Sequence, residues 1–143
     1  PWLAQIREYL MDLFAYRDDS HLSASHPHFG RAGIVWSVLG SVWSGNAVNA
    51  VQMTKSMAFR GYDVDDYEVA IQAAVEIEWL ENAETSGAVR PTPKGRELRE
   101  QAEGLTNEYF FRPWSALKPD ELEELHSLLK ELRHQLRELK KLS

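Results

Sequence analysis

The leucines of the C-terminal segment constrain the fold more than any other feature of the chain. After Pro119 they recur at alternating spacings of three and four residues, which is the a/d pattern of a heptad repeat. These leucines are Leu122, Leu125, Leu129, Leu132, Leu136 and Leu139. The pattern spans about two and a half heptads and predicts one amphipathic helix over residues 119–142. Such a helix either pairs with a second copy, giving a homodimer, or packs on the core of its own domain.

The size and composition of the chain limit the remaining possibilities. Its 143 residues are the length of one ordinary domain, which is enough to bury a hydrophobic core. It has no cysteine, which excludes a disulfide scaffold, a cysteine nucleophile and a cysteine-ligated zinc site. Its net charge is −6, with 22 acidic residues against 16 lysines and arginines. A nucleic-acid-binding protein usually has a basic excess, so any DNA contact must come from a local group of cations.

One long uncharged run lies at residues 32–54. Gly33, Gly40 and Gly45 interrupt it, together with several serines and asparagines, so it predicts two short buried helices and not a membrane span. The N-terminus has neither a basic region nor a long apolar stretch, so no secretory signal is predicted. We therefore expect a cytoplasmic protein that does not contact a membrane.

The first half of the chain shows three helical patterns. Apolar side chains lie on one stripe over residues 2–16, and a loop is predicted for residues 17–32, which are polar and contain Pro27 and Gly30. A second stripe covers residues 33–44. Asn49 is a suitable N-cap for a third, short helix, with Ala50 or Val51, Met53 or Thr54, and Met57 facing inward, and Gly61 ends that helix.

The second half begins with a capped helix and a hairpin. Asp63 and Asp66 have the spacing of a capping box, which predicts a helix that runs to about Glu78. Two short extended segments on either side of Gly87 predict a β-hairpin, and Thr92 is the predicted N-cap of the helix that follows it. The predicted inward stripes are Tyr67, Ala70, Ile71, Ala74 and Ile77 in the helix before the hairpin, and Leu98, Ala102, Leu105 and Tyr109 in the helix after it.

Four short segments stand out within residues 33–105. They are the turn Ala58-Phe59-Arg60-Gly61, the strand Trp79-Leu80-Glu81, the hairpin tip Thr85-Ser86-Gly87 and the step Thr92-Pro93-Lys94-Gly95-Arg96. With the order helix, short helix, helix, hairpin, helix, they resemble the winged helix-turn-helix domain of MarR-like bacterial regulators. The last segment is similar to the threonine-x-x-glycine step of that group, whereas Glu78 stands where the group usually has glycine. A weaker likeness, through the wing and the aromatic-Pro-Trp segment, is to SalK-type helix-turn-helix proteins.

The resemblance implies a fold, an assembly and a function. The fold is mainly α with a small β-hairpin: a single winged-helix domain over residues 1–143, with helical extensions at both ends. The extensions build a homodimer, through residues 119–142 and also residues 2–16. The function is that of a transcription regulator that binds duplex DNA and is open to control by a small effector.

The implied DNA-reading helix covers residues 63–78, and its charge opposes that function. Its outward residues are expected to be Asp65, Asp66, Glu68, Val69, Gln72, Ala73 and Glu76, of which Gln72 is suited to reading a base edge. Residues 63–84 hold eight acidic side chains and no lysine or arginine, which repels phosphate. The candidate compensating cations are Lys55, Arg60, Arg90, Lys94 and Arg96. The alternative is a winged helix that has lost DNA binding and uses this acidic helix for protein interaction or dimerisation.

Other chemistry is poorly supported by the sequence. A cluster of metal-ligand types, Asp18, Asp19, His21, His26 and His28, matches no familiar ligand spacing, so neither a metal nor a cofactor is predicted. No nucleophile elbow, phosphate-binding loop or HExxH motif is present, which argues against an enzyme. Six aromatic residues either pack the core or line a pocket for a small apolar effector. They are Trp36, Trp43, Trp79, Phe110, Phe111 and Trp114.

Overall fold

The structure is a computed structural model that describes residues 2–28, 33–84 and 87–141. Its helices are α1 (Trp2–Ser25), α2 (Gly33–Trp43), α3 (Ala50–Ser56), α4 (Val64–Glu76), α5 (Pro93–Phe111) and α6 (Pro119–Lys141). Its strands are β1 (Leu80–Asn82) and β2 (Val89–Pro91), and short 3₁₀ helices cover His26–His28, Ala58–Arg60 and Arg112–Ala116. The chain forms two compact units, Pro1–Phe110 and Phe111–Ser143. That residues 1–143 act as a single domain stays a prediction.

Helix α1 is longer than predicted. The loop expected at residues 17–32 is wrong for its first part, because α1 continues to Ser25 and a 3₁₀ turn follows to His28. This part of α1 buries small and polar residues, namely Ser20, Ala24 and Ser25, so it lacks an apolar stripe. The Ser20 hydroxyl donates to the carbonyl of Tyr16 at 2.8 Å. Residues 29–32 lie outside the described part of the chain.

Local capping sets the starts of α3 and α4, as predicted. The Asn49 side chain accepts a hydrogen bond from the backbone N–H of Gln52. The prediction that Gly61 ends α3 is wrong, because α3 ends at Ser56 and the chain tightens into the 3₁₀ turn Ala58–Arg60, which Gly61 ends in the left-handed conformation (φ 74°). Asp63 and Asp66 form the complete capping box at the start of α4. In α3 the inward residues are Ala50 and Met53, whereas Val51 and Lys55 are exposed.

The core of the first unit joins α2, α3, α4 and the hairpin. Its fully buried side chains include Val38, Leu39, Met53, Tyr67 and Leu80. Strands β1 and β2 are antiparallel, with Leu80 opposite Pro91, Glu81 opposite Arg90 and Asn82 opposite Val89. The backbone N–H of Val89 donates to the carbonyl of Val48 at 2.9 Å, which attaches the hairpin to the α2–α3 connection. Of the predicted hairpin tip, Thr85 and Ser86 lie outside the described residues.

Helix α5 faces the core with a different stripe from the predicted one. Of the predicted residues only Ala102 is fully buried; Leu98 is half-buried, and Leu105 and Tyr109 are exposed. The buried residues are Gly95, Arg99, Ala102 and Thr106. Gly95 explains the rotation of α5, because its α-carbon lies against the carbonyl group of Trp79, where a β-carbon would collide. Arg99, Ala102 and Thr106 are four, seven and eleven positions after Gly95, so they lie on the same side of the helix as Gly95.

The second unit contains the leucine-rich helix as a single helix, α6. No residue of α6 is fully buried, and of the heptad leucines the two nearest its C-terminal end are the most open, with Leu136 54% and Leu139 63% exposed. Closer to the N-terminal end of α6, Leu122, Leu125 and Leu129 line an apolar groove of about 600 Å³ with Phe111, Trp114 and Leu117. Among the described residues, no helix combines the length and the apolar character needed to cross a membrane.

Two glycines of α5 provide a matched test of the close approach at Gly95. Gly95→Ala introduces a β-carbon against the Trp79 carbonyl, and we expect it to lower the free energy of unfolding by about 1–3 kcal/mol. Gly104→Ala places its β-carbon in open space, so we expect a gain of about 0.5–1 kcal/mol from higher helix propensity. Urea denaturation of both variants measures the difference, and equal effects would contradict this account of α5.

Candidate nucleic-acid interface

Helix α4 is anchored on one side and open on the other. Tyr67, Ala70 and Ala74 are buried against the core, while Ile71 and Ile77 are half-buried. The residues exposed on the other side include Asp65, Asp66, Glu68, Val69, Gln72 and Glu76. Gln72 is therefore exposed on this helix, as its proposed role in reading a base requires, whereas Ala73 is half-buried. This open side presents an apolar residue, an amide and several carboxylates.

Lys55 and Arg60 precede α4 and are both exposed. Lys55 lies in the last turn of α3, and the Arg60 guanidinium carbon lies 5.4 Å from the centre of the Phe59 ring. Phe59 itself is 82% exposed, so the turn before α4 presents an aromatic ring together with a cation. Among the described residues, no carboxylate lies within ion-pair distance of Lys55, Arg60 or Arg96.

The two other candidate cations are paired with acidic residues of the same chain. The Arg90 Nε lies 2.9 Å from the Glu81 carboxylate across the hairpin. The Lys94 Nζ donates to the carbonyl of Ile77 at 2.9 Å and lies 3.2 Å from the Glu78 carboxylate. Lys94 thus caps the C-terminal end of α4, where the helix dipole favours a cation. Of the five predicted cations, two therefore form an ion pair and three do not, within the described part of the chain.

The end of α4 depends on the threonine-x-x-glycine step. Thr92 accepts from the backbone N–H of Gly95 at 3.0 Å, which confirms it as the predicted N-cap of α5. Its hydroxyl donates to the carbonyl of Glu78 at 2.6 Å. Glu78 has a left-handed backbone (φ 61°), which costs a residue with a β-carbon about 1 kcal/mol more than glycine. The contacts of Thr92 therefore hold α4, β1 and α5 in one arrangement.

Arg99 is a buried charged residue that the sequence pattern did not single out. Its side chain is 8% exposed, and its guanidinium carbon lies 4.7 Å from the ring centre of Trp36 and 5.4 Å from that of Trp43. Its Nη2 donates to the Glu103 carboxylate at 2.8 Å. Arg99 and Glu103 are four residues apart, a spacing that indicates an ion pair on a helix. The same spacing is found in ordinary surface pairs, so it does not indicate that this pair is buried.

Two residues of α1 join this charged group, which links α1 to α5. The Arg17 Nη2 lies 3.5 Å from the Glu103 carboxylate. The His21 Nδ1 lies 3.2 Å from the hydroxyl of Thr106, and this hydroxyl donates to the carbonyl of Ala102, so His21 is the donor. Burial lowers the pKa of His21 below its ordinary value of 6.5, and the charge of Arg99 lowers it further. Both effects favour the neutral form of the His21 ring.

The aspartates and histidines of the metal-ligand types have other surroundings. His21 lies in the contact between α1 and α5, and the His28 ring stacks on Trp36 with the ring centres 5.4 Å apart. Asp18, Asp19 and His26 are exposed. Within residues 2–28, 33–84 and 87–141, no three side chains of the histidine, aspartate or glutamate type form a group that could hold a metal ion.

A cavity of about 510 Å³ lies beside Arg99. Gly40, Ser41 and Trp43 of α2 line it, with Met57 at the end of α3. The Ser41 hydroxyl and the Arg99 Nε are buried and have no hydrogen-bond partner among the described atoms. Of the six aromatic residues considered for a pocket, Trp43 thus lines this cavity. The others pack in pairs: Trp36 with Trp79, Phe110 with Tyr16, and Phe111 with Trp114.

The N-terminal half of α1 presents an apolar surface. Trp2 is 78% and Phe14 64% exposed, and Leu3, Ile6 and Leu10 are also exposed. Adjacent exposed apolar side chains of this kind mark an interaction surface in a soluble domain. The predicted apolar stripe over residues 2–16 therefore exists, but the described residues of its own chain leave it open.

Comparison with solved structures shows the fold. The chain is similar to the multiple antibiotic-resistance repressor MarR of Listeria monocytogenes, with 11% identity and a TM-score of 0.76 over 94% of each chain. It is similar to reduced MarR from E. coli, with 20% identity and a TM-score of 0.55 over 87% of this chain and 90% of that one. It is also similar to the MarR family protein Rv2887 of Mycobacterium tuberculosis in complex with DNA, with 13% identity and a TM-score of 0.57 over 87% and 94%.

These likenesses confirm the predicted winged helix-turn-helix fold, which is that of MarR structures. No curated protein matches the sequence. Residues 15–142 match the model of a family described as a helix-turn-helix family. The prediction that the chain is not an enzyme is confirmed by these matches, which are to a helix-turn-helix family and to MarR-family proteins. Since the family match spans far more than half of the sequence, the chain belongs to this helix-turn-helix family.

Proposed function

We propose that this protein is a transcription regulator that binds duplex DNA as a homodimer. Helix α4 would enter the major groove, and the β1–β2 wing would contact the phosphate backbone. The observation that carries the proposal is the placement of α4, which is fixed by its buried face and its capped ends while its other face is open and the preceding cations Lys55 and Arg60 are exposed. Two similar solved structures, Rv2887 and a mutant of MarR from E. coli, are complexes with DNA.

The acidic residues of α4 restrict how such a complex would form. Asp63 and Asp66 use their carboxylates in the capping box, so they do not need DNA to satisfy them. Gln72 has the side chain that pairs with adenine, and a carboxylate such as that of Glu68 accepts from the amino group of cytosine. Because the remaining acids repel phosphate, we expect modest affinity, with a salt dependence set by the few cations that contact phosphate.

Removal of the two cations before α4 tests this arrangement. In the variant with Lys55→Ala and Arg60→Ala, we expect weaker binding to duplexes of any sequence and a salt dependence reduced by about two ion equivalents. Fluorescence anisotropy with a labelled mixed-sequence duplex measures both quantities. The matched control is Arg112→Ala with Lys118→Ala, which makes the same charge change outside residues 33–105. Equal losses in the two variants would contradict the placement of DNA at α4.

The alternative function, protein interaction through an acidic α4 that no longer binds DNA, has its own signature. It predicts no binding to duplex DNA even at low salt, together with salt-sensitive binding to a basic protein. The similarity to structures solved with DNA supports the regulator over this alternative.

We infer the homodimer from two exposed apolar surfaces. The leucines of α6 follow a heptad pattern but none is fully buried, and the N-terminal half of α1 is open from Trp2 to Phe14. Exposed leucines at a and d positions are typical of helices that pair with a second copy. In this proposal Leu122, Leu125, Leu129, Leu132, Leu136 and Leu139 form the contact between copies.

A pair of leucine variants separates the heptad stripe from general surface hydrophobicity. Leu136→Asp puts a charge at a heptad position, and we expect it to shift the protein to monomer in sedimentation at micromolar concentration. Leu128→Asp is the control, because Leu128 is 61% exposed and lies off the heptad stripe, so this variant should stay a dimer. A wild-type monomer, or two variants that behave alike, would refute the dimer through α6.

Control by a small effector is the remaining part of the proposed function. The cavity beside Arg99 supports it, because its lining combines the charged side chain of Arg99 and the hydroxyl residue Ser41 with the aromatic ring of Trp43. We therefore propose an effector with an apolar body and an anionic group, not a purely apolar one.

Because the protein acts on DNA in this proposal, we also place it in the cytoplasm.

Thermal unfolding with a matched pair of probes tests the effector site. Benzoate should raise the melting temperature in a concentration-dependent way, whereas neutral benzamide should raise it much less. Ser41→Ala should reduce the effect of benzoate without changing the response to benzamide. If the two probes act equally, the cavity has no preference for an anion.

A further inference from the structure

The two cations of the wing region each face a carboxylate from the same short stretch of chain. Glu81 and Arg90 are directly opposite each other in the β1–β2 register, with 2.9 Å between Oε1 and Nε. Glu78 lies 3.2 Å from the Lys94 Nζ. Side chains of both pairs are mostly exposed, from 46% for Glu81 to 79% for Glu78, so both pairs lie at the surface where DNA phosphates would arrive.

The acid at position 78 is notable because its backbone disfavours it. Glu78 has φ 61°, a conformation that glycine adopts without steric cost and that a residue with a β-carbon adopts reluctantly. From Glu78 the Thr92 hydroxyl uses the backbone carbonyl oxygen, which glycine would also supply. What the glutamate adds is a carboxylate beside Lys94. A carboxylate therefore lies next to Arg90 and next to Lys94, in the second case at a position where glycine fits the backbone better.

We propose that Glu81 and Glu78 are intramolecular competitors of DNA phosphate for the wing cations. This inference rests on the proposed DNA-binding function and deepens it, because it names what limits the affinity. A phosphate that approaches Arg90 has to displace the Glu81 carboxylate before the guanidinium can donate to it. The wing is thus masked in the free protein and becomes available as the pair opens.

The exposure of these pairs makes the competition possible. Ion pairs between exposed side chains are weak, because water and salt screen the charges and the long side chains lose freedom. A phosphate can accept two parallel hydrogen bonds from a guanidinium, which strengthens its contact with Arg90. Lys94 is held more firmly, since it also donates to the carbonyl of Ile77 at 2.9 Å. We therefore expect phosphate to separate Arg90 from its carboxylate more readily than it separates Lys94. For this reason Glu81, the partner of Arg90, is the residue to change.

The test replaces the competing carboxylate by an amide of the same shape. For Glu81→Gln we expect about two- to fivefold tighter binding to a 20-base-pair mixed-sequence duplex at low salt, the gain that loss of one exposed pair allows. The dependence of log Kd on log salt should steepen by up to about 0.9, as for one further phosphate contact. Glu108→Gln is the matched control, because it removes one exposed negative charge of α5 about 20 Å along the helix from its start.

A double-mutant cycle distinguishes competition from simple repulsion. If Glu81 acts by holding Arg90, Glu81→Gln gives no gain in a protein that already carries Arg90→Ala. A gain of the same size in that background, or a gain equal to that of Glu108→Gln, would overturn the masking of the wing while leaving DNA binding intact. Absence of binding by the wild type, Glu81→Gln and Glu78→Gln alike would overturn the proposed function as well as this inference.

Discussion

The contact of Gly95 with the carbonyl group of Trp79 determines how the helices of the first unit are arranged. Because the α-carbon of Gly95 comes so close, Thr92 can reach both the end of α4 and the first turn of α5. That contact sets the rotation of α5, and the rotation places Arg99 and Thr106 inside. The same approach brings Thr92 and Lys94 to the carbonyls of Glu78 and Ile77, just after the end of α4.

Charge in this protein is divided between a buried group and a surface with few cations. Inside, Arg99 is stabilised by Glu103 and by the faces of Trp36 and Trp43, and Arg17 extends the group to α1. On the surface, the net charge of −6 is concentrated around α4, and part of the nearby positive charge is already paired. Binding to DNA would therefore be governed by a small number of cations and by how readily their pairs open.

The parts of the fold that follow from local interactions could be predicted from the sequence. Asn49 and the Asp63–Asp66 box act within four residues of themselves, and the structure has both as predicted. The length of α1 and the inward face of α5 could not be predicted, because they depend on contacts between residues far apart in sequence, such as His21 with Thr106. For the same reason, the sequence identified Arg90 and Lys94 as candidate cations but could not predict their ion pairs with Glu81 and Glu78.

The most direct test of a DNA-binding winged helix is a map of the residues that respond to duplex DNA. Amide resonances of the ¹⁵N-labelled protein would be followed while a 20-base-pair duplex is added at low salt. We predict that the shifts concentrate in α4 from Glu68 to Glu76, in the turn at Arg60 and in β2 around Arg90. Absence of shifts in α4, or shifts confined to α6, would contradict a DNA-binding winged helix.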